Sequence, residues 1–178
     1  KLLVIGGVAA GASCAARARR LCETAEITVL ERGPDVSFAN CGLPYFVGGV
    51  IEDEEDLTLQ TPESLGARFR LDVRVDTEVV SIDAATRRLR VRSMLTDEHT
   101  TLDYATLILS TGAAPVRPPI PGYERALTLR TVEDATRMAD GVAGRPSSAV
   151  VIGAGFIGLE VAENLAEMGI SVSIVEAA

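Results

Sequence analysis

Two glycine-rich turns constrain this chain more than any other feature. They are Gly6-Gly7-Val8-Ala9-Ala10-Gly11 and Gly153-Ala154-Gly155-Phe156-Ile157-Gly158. Each follows an apolar run with strand character, Leu2–Ile5 and Ala149–Ile152, and each opens a stretch with helical spacing. A second apolar run then ends on an acid, Glu31 in the first case and Glu176 in the second. Strand, glycine turn, helix, strand, acid is the order of a dinucleotide-binding βαβ unit. The glycines allow a tight turn and close approach of a pyrophosphate, whose charge rests on the helix N-terminus. The acid accepts from an adenosine ribose. The second turn has all three glycines, whereas the first has Val8 at the middle one. The expected fold is therefore α/β, with two Rossmann-like dinucleotide-binding units built on a three-layer parallel sheet with helices and a small β-meander, the second unit truncated.

Between the turns the pattern changes twice. Gly33-Pro34 is a turn signal leading to Ser37-Phe38-Ala39-Asn40-Cys41-Gly42-Leu43-Pro44. A short helix is expected from Gly42 to Val50, with Cys41 at its start, where the dipole favours a thiolate. Residues 52–56 are an acidic run expected to be a solvated loop. Thr61-Pro62-Glu63-Ser64 reads as a helix start. Residues 72–75, 78–83, 88–93 and 99–103 alternate like strands of a meander, and 105–109 returns to the main sheet. Pro115, Pro118, Pro119, Pro121 and Gly122 form a stiff connection. It divides the chain into two expected dinucleotide-binding domains, 1–117 and the incomplete 118–178. Thr131, with Asp134 three residues on, caps a helix to Val142.

A net charge of -8 argues against nucleic acid or anionic membrane as partners. No apolar run reaches the ~20 residues of a membrane span. Cysteines at 14, 22 and 41 match neither a metal-ligand spacing nor a disulfide framework, so no metal is expected. The chain opens on strand-like residues with no room for a signal peptide, so a cytoplasmic protein is expected. It starts without Met and stops two residues past Glu176, as a piece of a longer protein would.

A Cys is by default a small buried hydrophobe, and Cys14 and Cys22 are read that way. Cys41 differs because it stands between two nucleotide-binding turns. That order suggests a hydride entering from a nicotinamide, passing through a flavin and reaching a sulfur. On these residues the whole chain resembles the FAD-dependent pyridine nucleotide–disulfide oxidoreductases, which carry the first glycine turn, a Thr-Gly-Ala before a proline-rich crossing, and the second glycine turn. Phe46 stands where a CxxxxC pair would end, so the two-cysteine members are excluded. SFANCGLPY and GGVAAGAS are similar to the coenzyme A-disulfide reductase branch, which includes NADH-dependent persulfide reductases and shares the departure at Val8.

The resemblance implies that Cys41 is the catalytic residue, alternating between thiolate and a mixed disulfide with coenzyme A. It implies substrate contacts at Ser13, Arg17, Arg20, Ser37 and Asn40. The physics agrees that Arg17 and Arg20, at i and i+3, share a helical face suited to the phosphates of coenzyme A. Where the family has a Lys this chain has Phe69, flanked by Arg68 and Arg70 as alternative cations. FAD is implied at Gly6, Gly7, Ala10, Gly11, Glu31, Arg32, Val79, Thr111, Gly112 and Ala113. The nicotinamide cofactor is implied at Gly153, Gly155, Gly158 and Glu176. An acid at 176 repels a 2′-phosphate, so NADH is expected rather than NADPH. Glu160 reads either as a neighbour of the nicotinamide or as a helix-dipole acid. His99, far in sequence from Cys41, is a poor base. The implied function is reduction of coenzyme A disulfide or a related disulfide or persulfide by a homodimeric parent enzyme, this piece alone being inactive. Two alternatives stand beside it: an NADH oxidase or peroxidase using a cysteine sulfenic acid, and a flavin-binding module without turnover.

Overall fold

The computed structural model describes residues 1–177. In chain order it contains β1 (Leu2–Ile5), α1 (Ala9–Leu21), β2 (Ile27–Leu30), α2 (Leu43–Val47), α3 (Pro62–Phe69), β3 (Asp72–Arg74), β4 (Thr77–Asp83), β5 (Arg88–Ser93), β6 (His99–Asp103) and β7 (Thr106–Leu109). There follow α4 (Val132–Ala143), β8 (Ser148–Ile152), α5 (Phe156–Glu167) and β9 (Ser171–Val175), which completes the α/β pattern. Short 3-10 turns lie at Asn40–Gly42, Glu54–Leu57 and Tyr123–Arg125. The chain forms two compact units. One comprises Lys1–Phe38 and Thr58–Ala113, the other Ala39–Leu57 and the chain from Ala114 onward.

In the first unit the central sheet runs β3-β2-β1-β7, with every neighbouring pair parallel. Leu3 and Val4 are adjacent and both fully buried, so β1 is covered on both faces, as parallel strands are. Val4, Ile27 and Val29 pack with Ala15 of α1 and Leu65 of α3 on one side. Leu3 and Leu30 pack with Leu89 and Val91 of β5 on the other. Three layers result: helices, sheet and meander. The meander is the antiparallel sheet β4-β5-β6, bulged between Val79 and Ser81. His99 lies on its edge strand β6, exposed.

The second unit pairs β8 and β9 in parallel, with α5 between them in sequence. Thr131 caps α4 through a capping box with Asp134, as its sequence predicts. Residues 39–57 pack here, α2 lying against both α4 and α5. The acidic residues 52–56 are exposed, as expected of a solvated run, but the segment is not an irregular loop. It forms a 3-10 turn over Glu54–Leu57 with Leu57 fully buried, and the Thr136 hydroxyl donates to Glu54.

Candidate functional site

The first glycine turn lies between β1 and α1. Gly6 has φ +95°, a left-handed conformation that only glycine adopts without strain, and a Cβ on it would strike the Ser110 carbonyl. A Cβ on Gly11 would fall on the Gly6 carbonyl oxygen, so α1 starts tight against the turn. The Gly7 N–H donates to Glu31 Oε2 at 2.7 Å, and Gly33 N–H donates to Glu31 Oε1 at 3.0 Å. The acid at the end of β2 therefore holds the turn together, with carboxylate lone pairs left for a ribose. Gly6 backs onto Ser110, just before Thr111-Gly112-Ala113, and Gly112 is left-handed at φ +67°. Ala10 is exposed at the start of α1 and Arg32 is exposed beyond β2. Val79 is half-buried on β4 and packs toward the meander side of the sheet.

The second turn repeats this construction. Gly153 has φ +101°, a Cβ on Gly158 would meet the Gly153 carbonyl, and Ala154 N–H donates to Glu176 Oε2 at 2.6 Å. A Cβ on Gly153 or Gly155 would meet nothing within 4 Å. The space over the start of α5 is thus open to a phosphate and would be narrowed by any side chain. Neither α1 nor α5 has a side-chain cap or an acid in its first turn, so each helix leaves its first N–H donors open at its own glycine turn. Both turns fit a dinucleotide. Glu160 lies in the second turn of α5, beyond the reach of the dipole explanation.

Cys41 is exposed, at the centre of the 3-10 turn Asn40–Gly42. The expected helix 42–50 is shorter and starts later, because α2 spans only Leu43–Val47 and the Gly48-Gly49 pair ends it, Gly49 at φ +76°. Cys41 does precede a short helix, as expected, but it sits within a 3-10 turn before only five helical residues, which carry little dipole, so the expected dipole support for its thiolate is corrected. Asn40 Oδ1, next in the chain, is shielded from solvent and has no hydrogen-bond partner among the described residues. Cys22 is not a core residue. It is exposed at the end of α1, and contact with the Thr24 hydroxyl, followed by the Thr24 and Ala25 amides, holds its thiol below the usual range. Cys14 is half-buried.

A depression of about 520 Å³ in the first unit brings together Ser13, Arg20 and Ser37 with Arg68 and Phe69. Arg17 is exposed and not among its lining residues. The guanidinium groups of Arg20 and Arg68 lie 5.7 and 5.2 Å from the centroid of Phe69, within cation–π range. Phe69 thus holds two cations at the rim. Of the alternative cations, Arg68 faces the depression, while Arg70 donates to the Glu23 carbonyl at 3.1 Å. Leu59 and Gln60 complete part of the wall, which no local sequence pattern marks. Among the described residues no group of three or more His, Cys, Asp and Glu is placed to hold a metal, and no helix is long and apolar enough to cross a membrane.

Comparison with known proteins adds three relatives and a family. The pyridine nucleotide-disulphide oxidoreductase family matches residues 1–178. A coenzyme A disulfide reductase of Staphylococcus haemolyticus is 36% identical over 178 residues, covering 98% of this chain and 40% of the relative. The crystal structure of reduced CoADR-RHD from Bacillus anthracis superposes with a TM-score of 0.95 at 49% identity, over 99% of this chain and 32% of that one. An NAD-dependent persulfide reductase from A. fulgidus gives 0.91 at 37% identity, over 97% and 32%. The chain spans about two fifths of the length of the curated relatives it matches.

Proposed function

Because this chain belongs to the pyridine nucleotide-disulphide oxidoreductase family, we propose that its parent protein carries electrons from NADH through FAD to Cys41, which reduces coenzyme A disulfide or a related disulfide or persulfide. FAD occupies the first glycine turn, within 1–117, and NADH the second, within the domain that begins at 118. Bound FAD supplies the two-electron relay between nicotinamide and sulfur. The observation that carries the reading is the exposed thiol of Cys41 beside the unpartnered acceptor of Asn40, in a chain with two dinucleotide turns.

Cys41 thiolate attacks a disulfide R–S–S–R, forming Cys41–S–S–R and expelling one thiolate R–S⁻. Two electrons then cleave the mixed disulfide, restoring Cys41 thiolate and releasing the second R–S⁻. The sum is NADH + H⁺ + RSSR → NAD⁺ + two RSH. Asn40 Oδ1 accepts a donor from the substrate, giving a shielded oxygen the partner it lacks. The Arg20–Phe69–Arg68 rim, with Ser13 and Ser37, binds the phosphorylated end of the substrate. Glu176, accepting from Ala154, disfavours a 2′-phosphate, so NADH is preferred over NADPH. The parent enzyme is a cytoplasmic homodimer.

The test uses the full-length parent, purified in air. Mass spectrometry of the Cys41 peptide without reductant is expected to show a coenzyme A adduct. NADH oxidation with coenzyme A disulfide and with a persulfide is expected to yield thiols and to stop in Cys41→Ser. A sulfenic acid on Cys41, with NADH consumption that follows oxygen or peroxide and ignores disulfides, overturns the proposal.

A further inference from the structure

Gly48 ends α2 at a point where no side chain fits. A Cβ there would lie 2.7 Å from Asn164 Cβ and 2.8 Å from Asn164 Cγ, and closer still to Asn164 Oδ1. Asn164 is 4% exposed, and its Nδ2 donates to the Glu160 carbonyl at 2.8 Å, so it does not swing aside. The backbone at the end of α2 therefore lies directly on an anchored amide of α5. The other end of α2 begins immediately after the turn that carries Cys41. From Asn40 to Val47 the chain runs from thiol to contact with no intervening loop, and Leu43, Pro44 and Val47 are buried.

The geometry points to Gly48 and Asn164 as a positioning pair that sets Cys41 for attack on its disulfide; this rests on the reading of Cys41 as the redox residue. The two helices differ in how readily they yield. α2 has five residues, whereas α5 has twelve, packs on β8 and β9, and buries Val161, Ala162 and Leu165. Interiors packed to crystal density transmit such an overlap rather than absorb it, so a methyl at 48 displaces α2 and the thiol with it. Displacement at sulfur depends on alignment, and a shift of about 1 Å costs up to ~100-fold in rate. Reduction of the flavin by NADH does not pass through Cys41 and is spared.

The experiment separates the half-reactions by stopped flow in the full-length, flavin-loaded parent enzyme. Gly48→Ala is expected to slow the disulfide half-reaction about tenfold while leaving flavin reduction by NADH within about twofold. Adding Asn164→Gly, which removes the obstructing side chain, restores most of that loss. Asn164→Ala opens space instead of filling it, and serves where Gly48→Ala folds poorly. It slows the disulfide step roughly threefold with flavin reduction unmoved. Equal losses in both half-reactions with no rescue mark a purely structural contact and overturn the proposal, as does an unchanged disulfide step in folded Gly48→Ala. Undiminished disulfide turnover in Cys41→Ser instead overturns the reading of Cys41 on which the pair depends.

Discussion

Three arginines sit within four residues on α1, and the fold gives them different work. Arg19 is buried and donates to the carbonyls of Phe69 at 2.8 Å, Arg70 at 2.9 Å, Glu23 at 2.7 Å and Cys22 at 3.2 Å. It ties the end of α1 to the end of α3 with no carboxylate involved. Arg19→Ala strands those carbonyls and is expected to cost about 2–3 kcal/mol by denaturant unfolding. Arg20→Ala and Arg68→Ala remove exposed rim cations, so stability changes by less than ~0.5 kcal/mol. The KM for coenzyme A disulfide is expected to rise about tenfold while that for a phosphate-free disulfide holds, a loss typical of one charge-assisted contact. In the sequence the three arginines form a single basic cluster, and only packing tells anchor from rim. Cys22 gives a further outcome. Its lowered pKa leaves more thiolate at neutral pH in the folded chain, so native Cys22 is expected to alkylate faster than in the denatured chain. Peptide-resolved mass spectrometry reads this separately from Cys41.

The helices divide by how they begin. α3 and α4 have capping boxes, Thr61 with Ser64 and Thr131 with Asp134, and acids in the first turn. α1 and α5 start from glycine turns without side-chain caps or first-turn acids. The first pair satisfies its own N–H donors, and the second presents them to an anion. Thr131→Ala is expected to cost about 1 kcal/mol of stability without altering cofactor content. Gly155→Asp places a negative charge in the open space proposed for the NADH pyrophosphate. NADH affinity, read by titration of the flavin-loaded enzyme, is expected to fall at least tenfold although the helix itself gains from the charge. These starts were legible from Thr131 and Asp134, from the glycine spacing, and from Glu31 and Glu176. The true length of α2 was not, because Pro44 and the apolar run to Val50 suit a helix and only the Gly48-Gly49 pair ends it.

Across the whole molecule, the two glycine turns are built alike but are proposed to serve different cofactors, so on that proposal equivalent lesions separate. Gly11→Ala, with its Cβ on the Gly6 carbonyl, is expected to yield protein depleted of flavin. Gly158→Ala, with its Cβ on the Gly153 carbonyl, is expected to retain flavin, visible by absorbance, while NADH no longer bleaches it. The strands themselves were readable from local pattern, but the order β3-β2-β1-β7 was not: residues 72–75, expected as a first meander strand, pair in parallel with β2 in the central sheet, and the meander is β4-β5-β6 alone. The membership of residues 39–57 in the second unit was not readable either. It depends on α2 meeting α4 and α5, contacts between segments far apart in sequence that no local periodicity encodes.

The bond from Ala154 N–H to Glu176 has a consequence for anyone redesigning this protein toward the phosphorylated coenzyme. The obvious substitution replaces the acid with a neutral or basic residue, treating position 176 as a selectivity dial. Here the same carboxylate is also the clasp of its loop, so the swap unfastens the loop along with relaxing the proposed preference for NADH. A successful switch must graft in a second acceptor for Ala154, and a lineage drifting between the two coenzymes would have to change both places together.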